Sequence, residues 1–253
     1  MLKKRLIGVI TVKDGLAVQS IGYRRYLPLG KPWCIAENLD RWGADEILVL
    51  SIDRTEKNIG PDYKLLSSLA KAKLTTPLIY GGGISNKNEA NKVIHAGADR
   101  ICLDALLHER PRLVREIADV LGVQAIIGAL PLSKIGDGVQ WYNYRTKKSG
   151  KFTDELIKLF SDGMMSEALI IDWKNEGRLN SFDDSIIKNV PFNVPQIVFG
   201  GISEQSQMNK LLACGSVSAI SVGNFLNYKE HAVQKIRLSL SKQNIRSALF
   251  ESD

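Results

Sequence analysis

The sequence predicts an α/β protein of the (β/α)8 barrel class, and three observations support this. Short apolar runs rich in β-branched residues alternate with amphipathic segments of helical period along the whole chain. The runs are apolar throughout, which is typical of parallel strands that are covered on both faces. The chain also repeats itself with a period near 120 residues, as two similar half-barrels would. The alternation alone leaves a doubly wound open sheet as the main alternative.

The predicted strands are short apolar runs that are separated from one another by helical segments. In chain order they are LIGVITV (6–12), EILVLSI (46–52), PLIYG (77–81), RICLD (100–104), QAIIGAL (124–130), EALIIDW (167–173), PQIVFG (195–200) and SAISVG (218–223). The predicted helices are amphipathic and span Pro32–Trp42, Tyr63–Ala72, Asn88–Ala96, Pro111–Leu121, Asp154–Phe160, Glu204–Ala213 and Lys229–Ser239. No Gly/Ser-rich linker divides this series, so we predict a single domain over residues 1–253.

The internal repeat is carried by short motifs at nearly one spacing. The sequence GGIS of Gly82–Ser85 recurs as Gly200–Ser203, and Ile7–Gly8 of the first strand recurs as Ile127–Gly128 of the fifth. Chance could supply any one pair, but a shared offset makes coincidence a poor explanation. We therefore predict a barrel built from two half-barrel repeats of four strands each.

One long irregular segment, residues 131–152, follows the fifth predicted strand. Its centre, VQWYNY, favours a short hairpin arm over the strand ends. Loops of this length are usually functional or disordered, so this segment is a candidate part of a site.

The formal net charge is +7 at pH 7, but Lys and Arg are spread along the chain without a nucleic-acid-binding motif. A solvated surface is the first interpretation of this charge, an anionic small-molecule site the second and nucleic acid the third.

With no apolar run of about 18 residues and no signal-peptide pattern, we expect a cytoplasmic protein without a membrane span. The three cysteines and three histidines are scattered, so neither a metal site nor a cofactor is predicted.

Glycine runs follow the third and seventh predicted strands, where they allow a phosphate to approach bare backbone N–H groups. These runs are Gly82–Gly83 and Gly200–Gly201, and each has a partner turn one strand later, Asp104–Ala105 and Gly223–Asn224 respectively. Tight turns without a ligand are the alternative. Two cradles on opposite sides of one barrel mouth would suit an elongated substrate with a phosphate at each end.

Five segments carry a resemblance to a known family. They are the opening MLKKR (1–5) through VKDG (12–15), GADEILVL (43–50), YGGGIS (80–85), AGADRICLD (96–104) and FGGIS (199–203). Together they resemble the cyclase subunit of imidazole glycerol phosphate synthase, almost end to end. The resemblance implies that a glutaminase docks at the bottom of the barrel. Ammonia then passes through the core and reacts at the top with a bis-phosphorylated ribulosyl intermediate, giving imidazole glycerol phosphate and an aminoimidazole carboxamide ribotide.

The chain departs from this family at its acid–base pair. The resemblance implies two catalytic aspartates, at the ends of the first and fifth strands, but Thr11 and Pro131 occupy these positions. Neither side chain exchanges a proton near neutral pH, so no catalytic residue is assigned with confidence. Asp53, Asp104 and Asp172 are weak substitutes, and we expect them to be exposed loop charges rather than a relocated acid–base set.

The resemblance also implies two phosphate sites that differ in quality. The first retains Gly82 and Gly83, but Asp104–Ala105 replaces an asparagine–threonine pair, and a carboxylate there would repel phosphate. The second retains all of its elements, which are Gly177, Gly200, Gly201, Gly223 and Asn224. We therefore expect phosphate at the second cradle and not at the first.

At the bottom of the barrel the resemblance holds. Arg5, Glu46, Arg100 and Glu167 match the charged ring that gates ammonia entry, although a purely structural ring is the alternative. Asp45, Asp99 and Gln124 match positions that face the glutaminase.

The preferred interpretation is a diverged relative that forms a heterodimer with a glutaminase. Such a protein would receive ammonia through the barrel and deliver it to a phosphorylated or activated-sugar acceptor, with the cyclase chemistry changed. A working cyclase in histidine biosynthesis and a non-catalytic activator of a glutaminase are the alternatives. Nucleic acid and membranes are not expected as partners.

Overall fold

Eight parallel strands close into a barrel in a computed structural model that describes residues 3–136, 138–227, 231–240 and 245–246. The barrel strands and the strands of two hairpins are numbered together in chain order. They are β1 Arg5–Lys13, β2 Leu16–Ile21, β3 Arg25–Gly30, β4 Glu46–Ser51, β5 Leu78–Gly81, β6 Arg100–Leu103, β7 Ile126–Ile135, β8 Gly138–Asn143, β9 Lys148–Gly150, β10 Glu167–Asp172, β11 Gln196–Phe199 and β12 Val217–Val222. The barrel strands pair in the order β1-β4-β5-β6-β7-β10-β11-β12, and β12 pairs with β1. The (β/α)8 prediction is therefore confirmed.

Helices surround the barrel between successive strands. They are α1 Pro32–Arg41, α2 Ile52–Lys57, α3 Tyr63–Lys71, α4 Lys87–His95, α5 Ala105–Glu109, α6 Pro111–Leu121, α7 Asp154–Ser161, α8 Ser185–Lys188, α9 Gln205–Ala213 and α10 Ala232–Ser239. The predicted helices match within a residue or two, apart from the last, whose predicted start at 229–230 lies outside the described residues. The short helices α2, α5 and α8 were not predicted, because four to six residues are too few to show a helical period. Within the described part of the chain, no helix is long and apolar enough to cross a membrane.

Two antiparallel hairpins extend the barrel at the carboxyl ends of its strands. β2 and β3 form the first hairpin, which was not predicted from the sequence, and β2 pairs with β1 through Val12 and Ala17. β7, β8 and β9 form the second, so the predicted arm over residues 131–152 is confirmed. The predicted end of the fifth strand at residue 130 is wrong, because Leu132 is fully buried and pairs with Trp141 on β8.

The sequence repeat has a structural counterpart at the glycines. A Cβ on Gly8 would lie 2.7 Å from the Leu39 side chain, and one on Gly128 would lie 2.7 Å from Phe160. Both strands therefore need glycine where a helix packs closely against the barrel. Gly82 and Gly200 both have positive φ, and a Cβ on either would collide with the backbone of the preceding barrel strand.

The apolar side chains form two groups on either side of the barrel wall. One lies between the strands and the helices, and the other fills the lumen. Side chains in the lumen include Ile7, Leu48, Ile127, Leu169 and Ile197, each with an exposed fraction of 1% or less. Burying such a side chain contributes roughly 1.5–3 kcal/mol, so the lumen is a packed core.

Candidate functional site

Four charged side chains close the amino-terminal end of the barrel. Arg5 Nη1 lies 2.8 Å from Glu46, and Arg5 Nη2 contacts Glu167. Arg100 Nη1 lies 3.4 Å from Glu46, and Arg100 Nη2 lies 2.8 Å from Glu167. Each guanidinium therefore contacts both carboxylates, and the four groups form a closed ring that is neutral in total. We call this set the charged ring.

The charged ring favours the ionised form of Glu167 despite its burial. Burial raises the pKa of Glu167, but Arg5, a hydrogen bond from Ser218 Oγ and Arg100 outweigh it, so the pKa lies below its ordinary value. Ser218 Oγ donates to Glu167 Oε1 at 2.5 Å. The side chains of the ring are 9–15% exposed, which places them between solvent and the apolar lumen.

The residues predicted to face a partner surround the charged ring, but only two of them are exposed. Asp99 and Gln124 are exposed, although one carboxylate oxygen of Asp99 accepts a bond from Leu78 N at 2.7 Å. The Asp45 side chain is only 7% exposed, because it pairs with Arg237 at 2.8 Å and accepts a bond from the backbone of β1. Asp45 therefore caps a strand and does not present its carboxylate to solvent.

At the opposite end, the positions of the missing aspartates lie on facing strands. Thr11 on β1 and Pro131 on β7 are both buried. Neither strand contains an Asp or Glu. The fold therefore places no carboxylate from either strand where the resemblance implies an acid–base pair.

An aromatic cluster covers the carboxyl end of the lumen. Tyr142 stacks on Trp173 with 3.9 Å between ring centroids, and Tyr144 meets Tyr142 edge-on at 5.7 Å. Tyr144 also contacts Tyr23, from the turn between β2 and β3, at 5.6 Å. We call these four residues the aromatic cap. The aromatic cap was not predicted from the sequence, although the segment VQWYNY contains two of its members, Tyr142 and Tyr144.

Two cavities that share no lining residue lie at this end of the barrel, and Tyr23 and Tyr144 of the aromatic cap line one of them. The first has a volume of about 140 Å³ and lies over β4, β5 and β6. The second has a volume of about 20 Å³ and lies over β11 and β12. We call them the first cavity and the second cavity. A single water occupies about 10–15 Å³ on this measure, so the second cavity has room for little more than one water.

The second predicted phosphate cradle lines the second cavity, and the first hairpin packs against it. Its lining includes Gly177, Gly200, Gly201, Gly223 and Asn224. Asn224 Nδ2 donates to Ser20 O, and Asn224 Oδ1 accepts from Ser20 N at 3.3 Å. A Cβ on Gly177 would also collide with Ser20 O. The first hairpin therefore contacts this cradle at Gly177 and Asn224.

Glu176 fixes the first hairpin in this position. Its carboxylate accepts bonds from Ser20 Oγ at 2.9 Å and from Tyr23 N at 3.3 Å, and it is 2% exposed. Burial raises the pKa of Glu176 to about 7. About half of these carboxyls are therefore protonated at pH 7, so Glu176 adds only part of a negative charge beside this cradle.

The first predicted phosphate cradle lies in the larger cavity. Gly82, Gly83, Asp104 and Ala105 line it, and Gly83 N already donates to Thr55 Oγ1 at 3.0 Å. Lys13, Lys57, Arg145 and Lys147 also line this cavity. The expectation that phosphate binds the second cradle and not the first stays a prediction, although the cavity beside the first cradle is the larger of the two.

Two of the three candidate carboxylates are not the exposed charges that were expected. Asp53 is 7% exposed and pairs with Lys57 at 2.9 Å. Asp172 is 1% exposed and accepts bonds from Asn175 Nδ2 at 2.8 Å and Asp183 N at 2.9 Å. Asp53 also accepts a bond from Asp14 N at 3.3 Å, in the turn after β1, whereas Asp172 stabilises the loop after its own strand.

Asp104 differs from the other two. It is partly buried and lines the first cavity, and its carboxyl forms no hydrogen bond or ion pair within the described part of the chain. Burial, and then the charge of Glu109, raise the pKa of Asp104 to about 7. The repulsion predicted from an ionised Asp104 is therefore weaker than expected, since about half of these carboxyls are protonated at pH 7. Among the described residues, no three His, Cys, Asp or Glu side chains are grouped so as to hold a metal ion.

Comparison with known proteins agrees with this arrangement. A family model described as histidine biosynthesis protein matches residues 5–232. The chain belongs to this family. The match covers all eight strands of the barrel.

Several curated relatives match along nearly the whole chain. One is "Putative imidazole glycerol phosphate synthase subunit hisF2" of Vibrio vulnificus, 30% identical, with 97% of this chain and 92% of the relative covered. Another is imidazole glycerol phosphate synthase subunit HisF of Natranaerobius thermophilus, 27% identical, with 98% and 100% covered. The protein of that name from Pyrococcus furiosus is 28% identical, with 97% and 98% covered. All three names describe a subunit of one synthase, and the resemblance seen in the sequence is confirmed.

Proposed function

We propose that this chain is the ammonia-receiving subunit of a glutamine amidotransferase complex. A glutaminase binds the amino-terminal end of the barrel and forms a heterodimer with it. Ammonia enters through the charged ring, crosses the lumen and reacts at the carboxyl end with a phosphorylated or activated-sugar acceptor. The observation that carries this proposal is the closed charged ring of Arg5, Glu46, Arg100 and Glu167.

The stability of the fold alone does not explain why four charges are buried in a ring. Desolvation cancels much of the attraction between buried charges, and apolar residues of similar volume often stabilise a protein equally well or better. The ring also stands where the lumen meets solvent, so any small molecule entering the barrel axis must pass it. These facts favour an entrance for a small molecule over a purely structural ring.

The surface around the charged ring supports a partner there. Asp99 and Gln124 are exposed beside it. The relatives named above are subunits by their printed names. Both points support docking of a second protein at this end of the barrel.

The chemistry at the other end is changed. Thr11 and Pro131 transfer no proton, and a positioned acid or base typically contributes about 10²–10⁴-fold each. We therefore expect turnover of the ribulosyl intermediate with free ammonia to lie at least about 10²-fold below that of a cyclase with both aspartates. Turnover at the ordinary rate would favour the working-cyclase alternative.

Co-expression with a glutaminase subunit of the same organism tests the proposal. We expect the two chains to elute together in size exclusion and the complex to release glutamate faster than the glutaminase alone. Gln124→Lys, at the proposed interface, should reduce both effects. Asn88→Lys adds the same charge on the exposed first turn of α4, at the other end of the barrel, and should leave both unchanged. Independent elution without stimulation would overturn the proposal.

A further inference from the structure

One strand connects the charged ring, the lumen and the first cavity. Alternate residues of β6 face the barrel axis, and these are Arg100 in the charged ring, then Cys102 in the lumen. Asp104 continues the series directly after the strand and lines the first cavity. The cavity also reaches the top of the lumen, where it contacts Ala129 and Ile171. Asp104 therefore stands where a molecule leaving the lumen along β6 first meets an open space.

The other acids at this end of the barrel are already engaged. Asp53 pairs with Lys57, Asp172 holds the loop after β10, and Glu176 holds the first hairpin. Asp104 is the acid of this group whose carboxyl forms no hydrogen bond or ion pair in the described part of the chain, and it lines a cavity instead. This carboxyl is therefore available to a molecule bound in the first cavity.

Next to the lumen, the second half of the mouth offers no comparable space. The second cavity is several times smaller, and the first hairpin packs against its cradle through Asn224 and Glu176. A larger cavity of about 920 Å³ adjoins it but is lined by no side chain of the lumen. Trp173 and Tyr142 stack over the lumen at this end of the barrel. Within the described residues, the first cavity is thus the larger of the two spaces next to the lumen.

We propose that ammonia leaves the lumen beside Asp104, and that Asp104 moves the proton when ammonia adds to a carbonyl carbon of an acceptor in the first cavity. This inference rests on the proposed function. In the step, the nitrogen lone pair forms the new N–C bond and the π pair of the C=O bond moves to oxygen. Asp104 takes a proton from nitrogen and returns it to that oxygen, so the net result is addition of one ammonia and no other reactant is needed.

The surroundings of Asp104 suit a group that both accepts and donates a proton near neutral pH. Burial raises its pKa to about 7, and the charge of Glu109 on α5 adds to the shift. The other titratable groups facing it are Cys102, Tyr23 and Tyr144, whose pKa values are all raised by burial, so they stay neutral at pH 7. Lys13, Lys57, Arg145 and Lys147 line the same cavity, together with Asp53 and Glu56, to which Lys57 and Lys147 are paired.

Carbodiimide-driven amidation tests the position of the outlet without a known acceptor. A water-soluble carbodiimide activates a protonated carboxyl, and ammonia then converts it to the amide. The complex with its glutaminase is supplied with amide-¹⁵N glutamine and the carbodiimide at pH 7, and peptide mass spectrometry locates the label. We expect Asp104 to gain ¹⁵N at least tenfold above Asp53 and Asp172.

A blocked lumen provides the control. Cys102→Phe, or Leu169→Phe if the first variant does not fold, should abolish labelling of Asp104 from glutamine but keep labelling from ¹⁵N-ammonium in solution. Glutamate release without preferential labelling of Asp104 would overturn this inference and leave the proposed function standing. Absence of glutamate release would overturn the proposed function, and this inference with it.

Titration of the carboxyl carbons tests the proton-moving role. In the full chain labelled with ¹³C at aspartate side chains, the signal that disappears in Asp104→Asn is that of Asp104. We expect its midpoint within about one pH unit of 7, and a midpoint below pH 5 would overturn the role.

Discussion

Glu167→Gln tests how strongly the charged ring depends on its charges. Glu167 contacts both Arg5 and Arg100, and at the 2.8 Å of the Arg100 contact the Coulomb attraction is about 6 kcal/mol at an effective dielectric of 20. Desolvation cancels much of this in the intact ring. In the variant, both guanidinium groups remain buried with one carboxylate between them, so we expect the free energy of unfolding at pH 7 to fall by about 3–5 kcal/mol.

Urea unfolding followed by circular dichroism measures this difference. Glu37→Gln, on the exposed side of α1, makes the same change and should shift stability by less than about 0.5 kcal/mol. Adding Arg100→Gln to Glu167→Gln restores neutrality, so the double variant should lose less than the sum of the single losses. The pKa of Glu167 is lowered in the fold, so its contribution is present above the ordinary glutamate pKa and is lost as the pH falls through the lowered value. A loss below about 1 kcal/mol at pH 7 would refute the reasoning.

Three further changes test other parts of the structure. Burial raises the pKa of Asp104 from 3.8 to about 7, so between these pH values the folded chain holds a proton on Asp104 that the unfolded chain has lost. Stability should therefore decline between these pH values by at most about 4 kcal/mol, and Asp104→Asn should remove the decline in urea titrations. Gly200→Ala forces a Cβ to 2.6 Å from a backbone oxygen at a φ of 104° and should cost about 2–4 kcal/mol by thermal unfolding. Gly215→Ala, with nothing within 4 Å of its Cβ, should cost under about 1 kcal/mol, and equal losses would contradict the steric argument. Asn224→Ala removes both bonds to the Ser20 backbone, so hydrogen exchange at Ser20 should accelerate about tenfold, and unchanged exchange would show that the hairpin docks by other contacts.

The barrel could be predicted from the sequence, because the patterns that indicate its strands and helices are local. Each barrel strand is a short apolar run such as EILVLS of β4, and helices such as Pro111–Leu121 carry a clear period. The repeated glycines were accessible for the same reason, since Gly8 and Gly128 sit at one position of equivalent strands. Local pattern and fold agree in these elements.

The shape of the candidate site depends on contacts between distant parts of the chain. Ser20 contacts Asn224 and Glu176, and nothing near residue 20 indicates that its hairpin will pack against the second cradle. Tyr142 stacks on Trp173, which is also distant in the chain. The burial of Asp172 could not be predicted either, because it depends on the backbone of Asp183 folding back to bond it. The segments at the mouth of the barrel could therefore be predicted from the sequence, but the contacts that shape the space between them could not.

The charged ring also bears on how two half-barrels recognise each other. The first half contributes Arg5, Glu46 and Arg100, and the second contributes Glu167. Two copies of the first half would bring four guanidinium groups to two carboxylates, and two copies of the second would bring carboxylates alone. Each pairing of like halves would bury uncompensated charge, which costs several kcal/mol per ion. The complementary charges thus select the hetero-pairing of the halves and act against assembly of either half with itself.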